Sequence, residues 1–192
     1  MSYCKIAPGH PFHGPYHDRE YGFPTSDETA LFERLVLEIN QAGLSWLTIL
    51  TKRENFRAAF DNFDVDKVAA YGAHDRASLL ADAGIIRNRL KVDAAIVNAG
   101  RIIELRDRHG SFAGWLDANH PLDKSSWVKL FKGTFAFTGG EITGEFLLST
   151  GYLPGAHEES CPAYREIARL KPPWLRTTPP VSKPGKSGPL KR

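Results

Sequence analysis

Two cysteines and two histidines form a set that could hold a metal ion. The chain has two cysteines, Cys4 and Cys161; twelve residues separate Cys4 from His17, and three separate His157 from Cys161. Zinc prefers four tetrahedral nitrogen and sulfur ligands, and a site filled by four protein ligands has no open position for substrate. A zinc ion bound here would be structural, and it would join residue 4 to residue 161.

The spacing alone leaves other interpretations of these cysteines open. A disulfide is one, although a reducing cytoplasm disfavours it, and a pair of small buried thiols is another. Other histidines also offer rival ligands: His10, His13, His74, His109 and His120. The four residues are therefore a hypothesis for a zinc site.

A single carboxylate lies on an otherwise apolar helical face. Glu38 follows Leu31 by seven positions and Leu35 by three, so an ideal helix points its side chain toward the buried side. A glutamate there is costly unless it is paired or hydrogen-bonded. Glu38 is thus either a member of a structural ion pair or a site residue.

Three aromatic residues, Tyr16, Tyr21 and Trp46, lie on either side of Glu38 in the sequence. Aromatic walls can sandwich a flat heterocycle, while a buried carboxylate can accept its N–H hydrogens and stabilise positive charge on it. The alternative is that all three rings belong to the hydrophobic core. If they form a site, its chemistry suits a cationic base.

A short connection after Gly84 could bind phosphate. The preceding helix is predicted to stop at Gly84 in a left-handed conformation, and residues 85–89 lead straight into the next helix. In a helix-hairpin-helix, the turn and the next helix N-terminus direct backbone N–H groups toward a DNA phosphate. The candidate contacts are Gly84, Ile86, Arg87 and Arg89. An ordinary turn with solvated arginines is the alternative.

Capping residues predict where the helices that carry these side chains begin. The stretch from Thr25 to Glu28 has the spacing of a capping box, which predicts a helix start there. Ser45 and Asp64 are predicted to cap the next two helices. Residues 135–140 are predicted to form either a short strand or an extended entry to a helix over 142–148. Because no alternating pattern could build a sheet, the predicted class is all-α.

Composition places the chain among globular proteins. Hydrophobic residues make up 42% and charged residues 24% of 192 positions. No window approaches the ~18 consecutive apolar residues of a membrane span, and the first residues lack the apolar core of a signal peptide. We therefore expect a cytoplasmic protein without membrane association, of one domain or two small lobes.

The net charge of +3 is unevenly distributed. Residues 171–192 contain six basic side chains and no acidic ones, whereas residues 1–170 carry 19 basic and 22 acidic side chains, a net charge of −3. The same segment holds six prolines, and such a composition cannot bury enough apolar area to offset its ordering cost. Residues 171–192 are therefore predicted to be a disordered cationic tail. Because the rest of the chain has a net negative charge, any DNA contact there must come from local basic residues, and Lys52, Arg53 and Lys132 are further candidates.

Ordered motifs over roughly residues 4–161 resemble the 3-methyladenine DNA glycosylase I family, a branch of the helix-hairpin-helix superfamily. The matching segments are residues 16–24, 31–33, 37–38, 41–46, 52–57 and 82–89 with Lys91, followed by His157 and Cys161. A chance match over so long an ordered series is improbable.

The resemblance implies an all-α helix-hairpin-helix bundle, a structural zinc ion held by Cys4, His17, His157 and Cys161, and phosphate contact at residues 83–89. It also assigns the base pocket to Glu38, Tyr16 and Trp46, with Tyr21 completing the wall. Residues 1–26 plus 119–170 would form the zinc-bearing lobe and residues 27–118 the hairpin lobe.

The activity implied is base excision in alkylated double-stranded DNA. The enzyme would flip out 3-methyladenine and hydrolyse its N-glycosidic bond, releasing the free base. We expect a monomer, and no residue compels the role of a general base. The alternative is a zinc-stabilised module that binds DNA lesions without cleaving them.

Two regions depart from the family pattern. Tyr21 stands where tryptophan is common, and His13 stands where an aromatic residue is usual. Residues 135–146 include Glu141 and Glu145, where the family usually has a threonine-rich turn and an aromatic helix start. Because carboxylates near DNA would repel phosphate, these two are expected to face protein or the base pocket.

Overall fold

The computed structural model describes residues 2–176, and all regular structure within that range is helical. The α-helices are α1 (Tyr3–Ile6), α2 (His13–Arg19), α3 (Glu28–Gln41), α4 (Trp46–Thr51), α5 (Arg53–Ala59), α6 (Val65–Ala69), α7 (Ala73–Ala81), α8 (Arg89–His109), α9 (Phe112–Asn119), α10 (Lys124–Thr134), α11 (Gly140–Ser149) and α12 (Pro162–Arg169). Single 3-10 turns occupy Asp61–Phe63 and Pro173–Leu175. The all-α prediction is confirmed for the described residues. Residues 135–139 form a bend and turn with Phe137 at a φ of 57°, so neither the predicted strand nor the predicted extended entry is present.

Helix α3 lies at the centre of the fold, where it packs against α4, α6, α8, α9 and α11. Asp27 caps it, because its carboxylate accepts the N–H groups of Thr29 and Ala30 at 2.8 and 3.2 Å. The capping box predicted from Thr25 is therefore wrong. Glu28, which should have closed that box, instead binds Arg106 of α8 at 2.6 Å.

The other predicted caps are confirmed. Ser45 accepts the N–H of Thr48 at 3.1 Å at the start of α4, and Asp64 accepts the N–H of Lys67 at 3.1 Å at the start of α6. Each cap uses a side chain within three residues of its donor, and such local geometry can be predicted from sequence.

The predicted end of the helix at Gly84 is wrong. Helix α7 stops at Ala81, and Gly84 is not among the glycines with positive φ. A Cβ atom at Gly84 would lie 2.9 Å from the Asp82 carboxylate and 3.2 Å from Cβ of Asn55. Glycine is required at this position by the close approach of neighbouring side chains, not by a left-handed backbone.

One hydrophobic cluster runs through both predicted lobes. It includes Leu31 and Phe32 of α3 together with Phe131 of α10 and Phe146 of α11. The two lobes share this core, and the boundary between them stays a prediction. Among residues 2–176, no helix has both the length and the apolarity that crossing a bilayer requires.

Part of the predicted cationic tail belongs to the folded body. Residues 177–192 lie outside the described residues, but Pro173 is buried and the N–H of Trp174 donates to the carbonyl of Gly151 at 3.2 Å. The boundary predicted at residue 171 is therefore too early, because residues 171–176 pack against the body.

Candidate functional site

A cavity of about 310 Å³ collects the three aromatic residues predicted from the sequence. Its lining residues are Tyr3, Tyr16, Tyr21, Gln41, Trp46 and Glu145. The cavity is at the small end of the range of roughly 300–1,000 Å³ found for ligand pockets.

The aromatic rings form an angled wall. The Tyr16 ring centroid lies 5.1 Å from that of Trp46 and 5.8 Å from that of Tyr21, with interplanar angles of 58° and 41°. Tyr3 meets Tyr21 edge to face at 5.3 Å. The buried indole N–H of Trp46 has no hydrogen-bond acceptor in the described part of the chain.

Glu38 is buried beside this wall, with 3% of its surface exposed. Burial raises the pKa of its carboxyl to about 8; Arg34 opposes this increase, whereas the negative charge of Glu145 adds to it. The charge of Glu38 also contributes to the raised pKa values of Tyr16 and Tyr21. Since residues 2–176 place no cation within 4.0 Å of its carboxylate, the ion-pair interpretation of Glu38 is wrong.

Arg34, the cation that lowers the pKa of Glu38, already donates to other acceptors. Arg34 donates to the Tyr16 hydroxyl at 2.8 Å, to Glu20 at 3.2 Å and to the carbonyl of Ser149 at 3.4 Å. Arg34 therefore fixes the Tyr16 ring while leaving Glu38 without a direct partner.

The four candidate metal ligands come together although the sequence separates them by more than 150 positions. Their donor atoms all lie within 4.8 Å of one another. Sγ of Cys4 is 3.5 Å from Nδ1 of His157, and Sγ of Cys161 is 3.6 Å from the same atom and 3.7 Å from Nε2 of His17. Tetrahedral zinc bonds of about 2.3 Å to sulfur and 2.0–2.1 Å to nitrogen give a sulfur–nitrogen edge of about 3.6 Å, so the cluster has the dimensions of a zinc site.

Both histidines are oriented by a second hydrogen bond. Nδ1 of His17 lies 2.7 Å from the Asp18 carboxylate, and Nε2 of His157 lies 2.6 Å from the carbonyl of Tyr21. Because both partners accept, each ring donates through that nitrogen and turns its other nitrogen toward the cysteines. The hydrogen bond from His157 to the Tyr21 carbonyl also connects the candidate metal ligands to the cavity wall.

The turn between α7 and α8 is held from both sides. Asp82 accepts the N–H of Gly84 at 2.7 Å, and Lys52 donates to the carbonyls of Ala83 and Gly84 at 3.0 and 3.1 Å. Asn88 caps α8 by accepting the N–H of Lys91 at 3.2 Å. These contacts rigidify the turn.

After Gly84, the turn faces solvent. Arg87 and Arg89 are exposed, and the side chain of Arg89 is 80% exposed with Asp93 as a weak partner at 3.8 Å. The N–H groups of Ile86 and Arg87 have no backbone acceptor in the described chain, whereas that of Gly84 is used by Asp82.

Two of the further candidates for DNA contact are engaged elsewhere. Arg53 binds Glu20 at 2.7 Å and Glu33 at 2.9 Å, and only 14% of its side chain is exposed. Lys52 is used by the turn described above. The expectation that Arg53 contacts DNA is therefore wrong, while Lys132 remains exposed.

A buried lysine connects the turn to the cavity. Lys91, in the first turn of α8, donates to the carbonyls of Asn40 and Ala42 at 2.8 and 2.7 Å, which flank the cavity residue Gln41. Lys91, Tyr3 and Gln41 are not among the site residues predicted from the sequence. Gln41 and Lys91 belong to the matching motifs, which could have indicated them, whereas nothing local in the sequence distinguishes Tyr3.

Comparisons with known proteins agree with this arrangement. A family model described as methyladenine glycosylase matches residues 7–128. DNA-3-methyladenine glycosylase 1 of Escherichia coli is 37% identical, with 85% of this chain and 97% of that protein covered. DNA-3-methyladenine glycosylase of Haemophilus influenzae is 34% identical, with 77% and 89% covered.

A solved structure extends the similarity to the fold. The structure describing 3-methyladenine recognition by 3-methyladenine DNA glycosylase I from Staphylococcus aureus superimposes with a TM-score of 0.76 at 32% identity, covering 85% of this chain and 96% of that one. Sequence and fold thus agree over most of both chains, and this chain belongs to the methyladenine glycosylase family.

Proposed function

We propose that this protein excises 3-methyladenine from alkylated double-stranded DNA by hydrolysing the N-glycosidic bond and releasing the free base. The observation that carries the proposal is the buried carboxylate of Glu38, which lies beside an aromatic cavity and has no counter-ion within 4.0 Å in the described chain. A carboxylate in this position is costly in the free protein and is compensated when a cationic base binds. The family membership and the activity named for the relatives support it.

Recognition requires the base to leave the duplex. A stacked base cannot reach a cavity between helices, so the nucleotide rotates outward at a cost of a few kcal/mol. Methylation at N3 makes adenine cationic and weakens its glycosidic bond, so positioning matters more than a strong general acid. We assign Glu38 to accept hydrogen bonds from the flipped base, Tyr16 and Trp46 to stack on it, and Tyr21 to complete the wall.

We assign DNA backbone contact to the turn between α7 and α8, as a helix-hairpin-helix. The free N–H groups of Ile86 and Arg87 and the start of α8 can hold a phosphate, with Arg87 and Arg89 adding positive charge. Gly84 contributes by allowing the tight turn, since its own N–H binds Asp82.

We assign a structural zinc ion to Cys4, His17, His157 and Cys161, since their donor spacing fits tetrahedral coordination. Four protein ligands leave no position for an activated water, so the ion would supply a crosslink rather than catalysis. The enzyme is expected to act as a cytoplasmic monomer.

The test is single-turnover release of free base from methylated duplex DNA. The wild-type protein should release 3-methyladenine, and Glu38→Gln should reduce the rate about 100-fold, the scale of removing one group that stabilises charge. Circular dichroism should show an unchanged fold, and Glu104→Gln, an exposed glutamate on α8, should match the wild type.

The outcomes separate the candidate functions. A wild-type protein that binds methylated DNA but releases no base would be a lesion-binding module, and the proposed activity would be wrong. If Glu38→Gln releases 3-methyladenine at the wild-type rate, only the role assigned to Glu38 is wrong, and the proposed activity stands.

A further inference from the structure

Helix α11 places a second carboxylate in the cavity. Glu145 is half-buried among the lining residues, and the hydroxyl of Tyr21 donates to its Oε2 atom at 3.1 Å. It raises the pKa of Glu38, so the two carboxylates are close enough to interact. The cavity is therefore lined by one acidic group, Glu145, while a second, Glu38, is buried and interacts electrostatically with it.

The placement of Glu145 differs from that of the other glutamate of the same helix. The side chain of Glu141 is 92% exposed and lies 4.0 Å from Lys124, outside the cavity. The residue before Glu145 is Gly144, where a Cβ atom would come within 2.7 Å of the Lys124 side chain. Lys124 thus packs over Gly144 and faces Glu141, while Glu145 turns toward Tyr21.

The charges around the cavity do not balance. Glu145 contributes a carboxylate, whereas the carboxyl of Glu38, with its pKa raised to about 8, is mostly protonated at pH 7 until a cation binds beside it; Arg34 is the cation that acts on Glu38. Arg34 is already bound by Glu20 at 3.2 Å, and Glu145 has no cation within 4.0 Å in the described chain. A cationic ligand would be stabilised here, whereas a neutral ligand of the same shape would gain little.

We propose that Glu145 is a specificity-determining residue that favours purines carrying positive charge over neutral purines of similar shape. Tyr21 fixes its carboxylate toward the cavity, so the residue acts together with Glu38 rather than replacing it. The inference rests on the proposed function, because it names a second group by which the same cavity recognises its base.

The experiment measures binding of two free probes by quenching of tryptophan fluorescence. Adenine is neutral at pH 7, and 3,9-dimethyladeninium is a cation that mimics the methylated base in its glycosylated form. Glu145→Gln should weaken binding of the cation at least about 10-fold and leave adenine within about twofold, since it removes the charge but keeps the size. Glu145→Asp, which keeps the charge, should retain most of the preference.

Glu141→Gln is the matched control, because it removes the same charge from the same helix outside the cavity. It should leave both dissociation constants unchanged. Equal weakening of both probes by Glu145→Gln, or the same loss of cation binding in Glu141→Gln, would overturn the proposal. Thermal unfolding of each variant establishes that it is folded, and Glu145→Ala, which also removes the charge, supplies the test if Glu145→Gln is not folded.

Wild-type base release separates this inference from the proposed function. If the wild-type protein excises 3-methyladenine while Glu145→Gln keeps the full preference for the cation, Glu145 is not a specificity residue and the activity stands. If the wild-type protein neither binds the cationic probe nor releases base, the proposed function and the inference are both wrong.

Discussion

Burial of Glu38 makes the stability of the protein depend on pH. The folded-state pKa is raised from 4.5 to about 8, because the carboxylate is desolvated and Glu145 lies nearby while Arg34 compensates only in part. A raised pKa contributes stability that is fully present below the unfolded-state value and is lost as the pH rises through the folded value. The wild-type protein should therefore lose stability between about pH 4.5 and 8.

Glu38→Gln removes this titration. Its free energy of unfolding should equal or exceed that of the wild type, and the difference should grow by a few kcal/mol between pH 5 and pH 9. Urea denaturation at several pH values measures it, with the exposed Glu104→Gln as control. A difference that stays constant over this range would show that Glu38 is already ionised at pH 5.

At the scale of secondary-structure elements, the contact between α8 and the end of α3 couples the DNA-binding turn to the cavity. Lys91 donates to two carbonyls that flank Gln41, and burial lowers the pKa of its ammonium group. Positive charge at the C-terminus of α3 also matches the helix dipole. The two elements are thus held in one relative position by one side chain.

Lys91→Met keeps the length of the side chain but removes both hydrogen bonds. Leaving two carbonyls unpaired should cost about 2–4 kcal/mol of unfolding free energy. Base release should also slow, because Gln41 and the following loop lose their anchor. Lys129→Met, an exposed lysine on α10, should change neither quantity. Normal release combined with the stability loss would limit Lys91 to a structural role.

Local chemistry explains which elements could be predicted from sequence. Ser45 and Asp64 cap helices through donors within three residues, and Glu38 follows a clear helical period. The Thr25 prediction failed because Arg106, 78 positions from Glu28, binds that carboxylate. The Gly84 prediction failed because α7 already ends at Ala81, with Asp82 as its C-cap, and Gly84 has no positive φ.

The candidate site likewise contains residues that local sequence patterns predict and residues that only tertiary packing brings in. The motifs that contain Tyr16, Tyr21 and Trp46 predict them as pocket residues, and all three line one cavity. Tyr3 joins them through the packing of α1 on α2, which no local pattern specifies. Side chains that reach a site through tertiary packing are thus the part that sequence patterns leave out.

At the scale of the whole molecule, ion pairs with glutamates neutralise several of the arginines. Arg34 and Arg53 both bind Glu20, and Arg57 joins Arg53 on Glu33. Because these arginines are neutralised within the fold, Arg87, Arg89 and Lys132 are the exposed residues among the predicted DNA contacts. The overall charge of +3 is therefore a poor guide to where the nucleic acid binds.

The proposed zinc site would stabilise the whole molecule, because it joins residue 4 to residue 161 and orders the Tyr21 carbonyl that His157 contacts. Crosslinking a loop of more than 100 residues is worth about 5 kcal/mol in the chain-entropy treatment, so removing the metal should lower Tm by roughly 10 °C or more. Metal analysis of the purified protein should find one zinc per chain, and a chelator should produce the shift. Cys161→Ser should start at the lower Tm and respond little to the chelator, whereas an unshifted wild-type Tm with less than one zinc per chain would contradict the assignment.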